Sequence, residues 1–148
     1  MYYFLDVDGV LNKKSDWKRP FTVNSECVRN FKRLMEQDKE SHVILSSTWR
    51  QGVTNTGVTS ERDDSLIKMF DNFGIKIEGT TPVSNKSRQE EIEYYIRRNG
   101  VRDYLVLDDD ESLFPRPKEI NLFLTNYRYG LTQKDVKKIL RKRKAMWL

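Results

Sequence analysis

Three short apolar runs, Tyr2–Leu5, His42–Leu45 and residues 104–107, and a fourth at 120–124, are each bounded by polar or turn-forming residues. Runs of this length read as buried strands. Between them the apolar positions switch to helical spacing. Val28, Phe31, Leu34 and Met35 predict a helix capped by Asn24 or Ser25 and running to about Asp38. Leu66, Met69, Phe70 and Phe73 predict a second, opened by Ser60 with Asp63 and closed at Gly74, with a short strand following at 75–77. Ile92, Tyr95 and Ile96 predict a third, entered through 84–87 and stopped at Asn99-Gly100. Val136, Ile139 and Leu140 mark a last helix capped by Thr132 with Asp135. Residues 12–22 read as an ordered loop, and the Gly/Thr-rich 51–59 as a mobile one. This βαβα alternation predicts an α/β fold, a Rossmann-like doubly wound parallel sheet with helices on both faces. At 148 residues the simplest organisation is one domain over 1–148, with a basic helix and tail from about 133. No repeat, low-complexity stretch or interdomain linker interrupts it.

The same pattern collects polar residues at one edge. Asp6 and Asp8, Ser46 and Ser47, and Asp108 and Asp109 all follow predicted strands, at the carboxyl ends where ligands bind in such sheets. Within Asp6-Val7-Asp8-Gly9-Val10-Leu11-Asn12 the two carboxylates stand two apart, the spacing that sends both to one side of a strand. Gly9 then lets the chain turn away. Carboxylates crowded into one crevice need a cation or a bound proton between them. With one histidine and one cysteine in the whole chain, this is a hard, oxygen-rich donor set that suits Mg²⁺ rather than zinc or copper. Ser46, Ser47 and Thr48 offer donors to an oxyanion, and Arg50 can reach a substrate phosphate or pack, with Trp49, under the loop. Lys86, at the mouth of the third helix, offers a compact positive charge. Asp110 reads as solvated. Carboxylates, Mg²⁺, hydroxyl donors and a lysine are together what phosphoryl transfer requires.

A formal charge of +5 and a pI near 9.3 add an expectation about partners. Lys134, Lys137, Lys138, Arg141, Lys142, Arg143 and Lys144 face Asp135 alone, as in a phosphate-binding patch or a solvated helix face. A single cysteine excludes an internal disulfide and fits a reducing compartment. No basic segment precedes the first apolar run, and no run is long enough to span a membrane. A cytoplasmic protein with no membrane partner is expected. Cys27 and Arg33 satisfy the C-x₅-R spacing of cysteine-dependent phosphatases, but the intervening residues hold no glycine and fit a helix. His42, at the start of a predicted strand, lies far from the strand ends.

Taken in order, these motifs resemble those of the haloacid dehalogenase (HAD) superfamily phosphatases. Asp6-Val7-Asp8-Gly9-Val10-Leu11 matches the first motif, D-x-D-G-x-[LT]. Ser46, or Ser47 by a one-residue shift, matches the second, Lys86 the third, and Leu107-Asp108-Asp109 the fourth. More narrowly, Ser47-Thr48-Trp49-Arg50, Lys86-x-Arg88-x-x-Glu91-Ile92, Leu107-Asp108-Asp109-Asp110 and Gly130-Leu131-Thr132 are similar to a small branch. That branch includes HAD domains of multidomain bacterial RNA-repair proteins besides stand-alone bacterial and phage proteins. The resemblance implies Asp6 as nucleophile, forming an aspartyl-phosphate, and Asp8 as general acid and base. It implies Mg²⁺ held by Asp6, the Asp8 carbonyl and Asp108, with Asp109 assisting, and Ser46 and Lys86 on the phosphoryl oxygens. Gly9, Ser47, Thr48 and Arg50 would border the substrate.

The gaps at 12–23 and 51–85 are too short for a sizeable cap, so the site is expected to be open to a large molecule. A phosphate at an RNA or DNA end, a 3′-phosphate in preference, is the expected substrate, with a repair ligase or kinase as the expected partner. Two alternatives stand beside it. One is a phosphatase of nucleotides or other small phosphomonoesters, and the other a non-catalytic nucleic-acid-binding module. A D-x-D glycosyltransferase ranks last, because its sugar-nucleotide domain needs a longer chain.

Overall fold

The computed structural model describes residues 1–49, 53–54, 57–58 and 61–146. Its elements are β1 (Tyr2–Leu5), α1 (Ser25–Met35), β2 (His42–Leu45), β3 (Val53–Thr54), β4 (Gly57–Val58), α2 (Glu61–Asn72), β5 (Ile77–Thr80), α3 (Arg88–Asn99), β6 (Tyr104–Asp108), β7 (Leu122–Leu124) and α4 (Gln133–Met146). Five strands form one parallel sheet in the order β5-β2-β1-β6-β7, with β1 at its centre. β3 and β4 pair with each other as an antiparallel ribbon. The fold is α/β and Rossmann-like, and no cap domain is inserted among the described residues.

The layers follow from strand alternation. Tyr3 and Leu5 of β1, Val43 and Leu45 of β2, and Leu105 and Leu107 of β6 enter one cluster with Phe31 and Leu34 of α1, Leu66 and Phe70 of α2, and Val136 and Ile139 of α4. The residues between them, Phe4, Ile44 and Val106, face the opposite side and pack with Ile92 of α3, Phe114 and Ile120. Successive side chains of a strand point to opposite faces, so a sheet buried on both sides reads as an unbroken apolar run.

Helix starts carry side-chain caps, those of α1 and α4 as expected. Asn24 Oδ1 accepts from the N–H groups of Glu26 and Cys27, at 3.0 and 3.2 Å. Ser87 Oγ accepts from Glu90 N at 3.2 Å. Thr132 and Asp135 cap reciprocally, at 3.0 and 3.2 Å. The cap expected from Ser60 lies outside the described residues.

Boundaries differ in physical ways. α1 ends at Met35 rather than Asp38. β5 spans Ile77–Thr80 rather than 75–77, and β7 starts at Leu122 rather than 120. Ile75 and Ile120 are buried all the same, plugging the core from loops. Part of the expected loop at 51–59 is the β3–β4 ribbon, and the 12–22 loop contains a 3₁₀ turn at Lys14–Lys18. No helix among the described residues is long and apolar enough to cross a membrane.

Candidate active site

Five polar residues form a row across the carboxyl edge of the sheet. Thr81 N bonds Leu45 O at 3.1 Å, Ser46 N bonds Leu5 O at 3.0 Å, Asp6 N bonds Leu107 O at 3.0 Å and Thr125 N bonds Asp108 O at 2.9 Å. The backbone ladder therefore holds Thr81, Ser46, Asp6, Asp108 and Thr125 side by side. None is more than 5% exposed. Burying polar groups is costly unless they are satisfied, so the row marks where the sheet stops building core and starts building a site.

At its centre Asp6, Asp108 and Asp109 bring carboxylate oxygens within 4.8 Å of one another. Asp108 is fixed on both oxygens. Its Oδ1 accepts from Asp109 N and Asp110 N, at 2.8 and 3.0 Å, and its Oδ2 accepts from Arg88 Nη1 at 2.8 Å. The same Arg88 nitrogen stands 3.3 Å from Asp6 Oδ1. Burial, then the charge of Asp108, raises the Asp6 carboxyl well above the ordinary carboxylate range, against the pull of Arg88. Asp109 is raised as well, chiefly by burial. Burial works against the charge on Arg88, but Asp6 and Asp108 outweigh it and hold the guanidinium above its ordinary value.

Gly9 is required here. Its φ is +82°, and an added Cβ would stand 2.2 Å from Asp109 Oδ2, so only glycine allows this approach. Thr125 Oγ1 donates to Gly9 O at 2.7 Å and locks the turn.

Asp8 sits apart from the three carboxylates, exposed on the turn. Its Oδ1 accepts from Asn12 Nδ2 at 2.9 Å and its Oδ2 from Trp49 Nε1 at 3.1 Å. Asn12 is a buried hub. Its Oδ1 also accepts from Gly9 N and Trp17 Nε1, each at 2.9 Å, and its Nδ2 donates to Thr22 O at 2.9 Å.

The remaining predicted residues divide. Ser46 and Ser47 are buried at the end of β2, and Ser47 Oγ accepts from Trp49 N at 3.2 Å. Thr48 is exposed and lines the cleft beside Asp8. Arg50 lies outside the described residues. Lys86 is not brought to the carboxylates. It is exposed, its N–H donates to Ser84 Oγ at 3.1 Å, and it lines a separate groove with Glu90, Tyr94 and Arg97. The reason is the helix start. Ser87 is the N-cap, which leaves Lys86 outside α3 and puts Arg88 in its first turn, aimed inward. Asp110 is exposed and caps a short 3₁₀ turn, its Oδ1 accepting from Ser112 N at 3.0 Å.

The family described as HAD domain in Swiss Army Knife RNA repair proteins matches residues 2–136. The chain belongs to this HAD family. No curated protein and no solved structure matches it. The match spans every strand of the parallel sheet and the whole polar row, so the HAD assignment and the carboxylate centre describe one object.

Two other chemistries fall away on geometry. The Cys27 thiol is buried on α1, 3.9 Å from Tyr129 O, and burial pushes it up to about 11, the opposite of an activated nucleophile. His42 stacks on Tyr2 and pairs with Glu78 at 2.7 Å, at the start of β2.

The donor set fits a divalent cation. Three carboxylates against one guanidinium leave an excess of negative charge, and all the ligands are oxygens. Asn12, Trp49, Thr81, Arg88 and Thr125 are site residues that sequence reasoning did not assign. Arg88 stood inside the quoted Lys86-x-Arg88 string, and Asn12 and Trp49 stood beside predicted residues, but their contacts are made through space.

Proposed function

We propose that this HAD domain is a Mg²⁺-dependent phosphomonoesterase that removes the phosphate from a nucleic-acid end, a 3′-phosphate in preference. The observation that carries the reading is the buried Asp6 carboxylate, held at the carboxyl edge of the central strand beside Asp108, Asp109 and Arg88. In this reading an Asp6 oxygen attacks phosphorus and the bond to the leaving oxygen breaks, giving an aspartyl-phosphate. Asp8 gives its proton to the leaving oxygen. It then takes a proton from water, whose oxygen attacks phosphorus and breaks the bond to Asp6. Mg²⁺, held by Asp6, Asp108 and Asp109 with the Asp8 carbonyl, would neutralise charge and keep Asp6 ionised. Arg88 and the donors around Ser46 and Ser47 stabilise the phosphoryl oxygens.

The nucleic-acid part rests on the family's description as a domain of RNA repair proteins, the absence of a cap among the described residues, and local charge. Lys13, Lys14, Lys18 and Arg19, against Asp16, lie on the loop beside Asp8. The basic helix α4 contributes less directly. Arg143 is spent on Asp38 at 3.2 Å and Tyr3 Oη at 2.9 Å, so the end of α4 packs over the Asp38 turn, away from the carboxylates, and acts through the overall field.

The test is phosphate release with Mg²⁺ from oligonucleotides phosphorylated at the 3′ or the 5′ end, against a mononucleotide. Release from the 3′ end, lost with chelator and in Asp6→Asn, supports the reading. Release from the mononucleotide alone would keep the chemistry and discard the end-repair substrate. Silence on all of them would favour a binding module.

A further inference from the structure

Asp8 opens on a cleft of about 320 Å³, walled by Trp17, Phe21, Trp49, Thr48 and Arg19. That is the small end of the range for ligand pockets. Trp17 is 44% and Phe21 40% exposed, an apolar cost in water unless something covers them. Both are nevertheless held in place. Trp17 Nε1 donates to Asn12 Oδ1, and the Trp17 ring stacks on Tyr127 at 5.8 Å and 18°. Phe21 stands edge-on to Trp49 at 6.3 Å and 86°. Its φ is +60°, a left-handed conformation that a bulky residue rarely adopts unless its surroundings impose it. The chain thus fixes two exposed aromatic rings at the cleft that contains Asp8.

We propose that this cleft seats the nucleobase of the nucleotide whose phosphate is removed. The proposal rests on the phosphatase reading: if Asp8 protonates the leaving oxygen, the leaving alcohol lies against Asp8, and the cleft is the space that Asp8 borders. A nucleoside matches its walls. Its base has a flat face for aromatic stacking, and the next backbone phosphate meets Arg19. Stacking accepts any base, so little sequence preference is expected. One side chain, Asn12, bonds both Trp17 and Asp8, which ties the stacking wall to the acid. Phosphotyrosine is the competing occupant with a flat ring.

The test uses the full chain carrying Asp6→Asn, which binds without turnover. A 3′-phosphorylated dinucleotide, its counterpart lacking the terminal base, and a phosphotyrosine peptide are titrated by calorimetry with Mg²⁺. The base-bearing ligand should bind roughly ten- to a hundredfold more tightly than the abasic one. Adding Trp17→Ala or Phe21→Ala should erase most of that ratio, while Trp17→Phe retains it. If the alanine variants fail to fold, Phe21→Leu replaces them and should still lower the ratio. Equal affinity with and without the base, a ratio indifferent to these variants, or tighter binding of the peptide would overturn the proposal. Wild-type turnover of the same ligands is measured in parallel. Absence of phosphate release there defeats the phosphatase reading, whereas the binding ratio decides the cleft.

Discussion

Replacing Arg88 by methionine removes one cation from among three carboxylates while keeping most of the unbranched stem of the side chain. Arg88 is 11% exposed and stands 2.8 Å from Asp108 and 3.3 Å from Asp6. At an effective dielectric of about 20 these contacts are worth about 6 and about 5 kcal/mol of gross attraction. Desolvation offsets much of that, and truncating one partner of a buried pair costs about 3–5 kcal/mol. For a chain of this length the melting temperature should fall by roughly 6–20 °C. The sign of the pH dependence follows from the raised Asp6 and Asp109 carboxyls. A carboxyl raised in the folded state leaves stability intact below the ordinary value of 3.8 and erodes it as pH climbs through the folded value. Loss of Arg88 raises Asp6 further, so the deficit should be smallest near pH 4 and widen toward neutrality. Chemical denaturation of wild type, Arg88→Met and Lys86→Ala without metal, between pH 4 and 8, reads this directly. Lys86→Ala should match wild type. An Arg88→Met deficit under about 1 kcal/mol at neutral pH, or one that shrinks as pH rises, would contradict this role for Arg88.

Other consequences are local. Gly9→Ala should cost about 1–2 kcal/mol from its left-handed backbone alone, and by displacing Asp109 it should also reduce the thermal stabilisation given by Mg²⁺. Asn12→Ala should cost about 2–4 kcal/mol through stranded buried partners, with kcat falling more than KM changes, because Asp8 loses a hydrogen bond that orients it. Cys27, with its thiol pushed up to about 11, should resist iodoacetamide at neutral pH until the protein unfolds, and Cys27→Ala should retain phosphate release. Fast alkylation of the native protein, followed by mass spectrometry, would contradict that burial.

The strands were legible because a sheet covered on both faces leaves an uninterrupted apolar signature, as in Tyr2–Leu5 and His42–Leu45. The positions of Asp6, Ser46 and Asp108 followed from those strand ends. Where a strand begins was harder to read. Ile75 and Ile120 carry the same burial signal from loops, and hydropathy cannot tell a plug from a ladder residue. That Arg88 rather than Lys86 faces the carboxylates depends on a single N-cap, Ser87, which sets the phase of the helix. The contacts of Asn12 and Trp49 to Asp8 join separate segments and leave no periodic trace. The β3–β4 ribbon is two residues per strand, too short for alternation to register.

Acid-quench trapping of the protein during incubation with an oligonucleotide carrying a radiolabelled 3′-phosphate asks whether Asp6 accepts the phosphoryl group. Wild type should carry an acid-stable, hydroxylamine-labile label on the peptide containing Asp6, absent from Asp6→Asn. Phosphate release that proceeds without any labelled protein, or that survives Asp6→Asn, would contradict Asp6 as the phosphoryl acceptor.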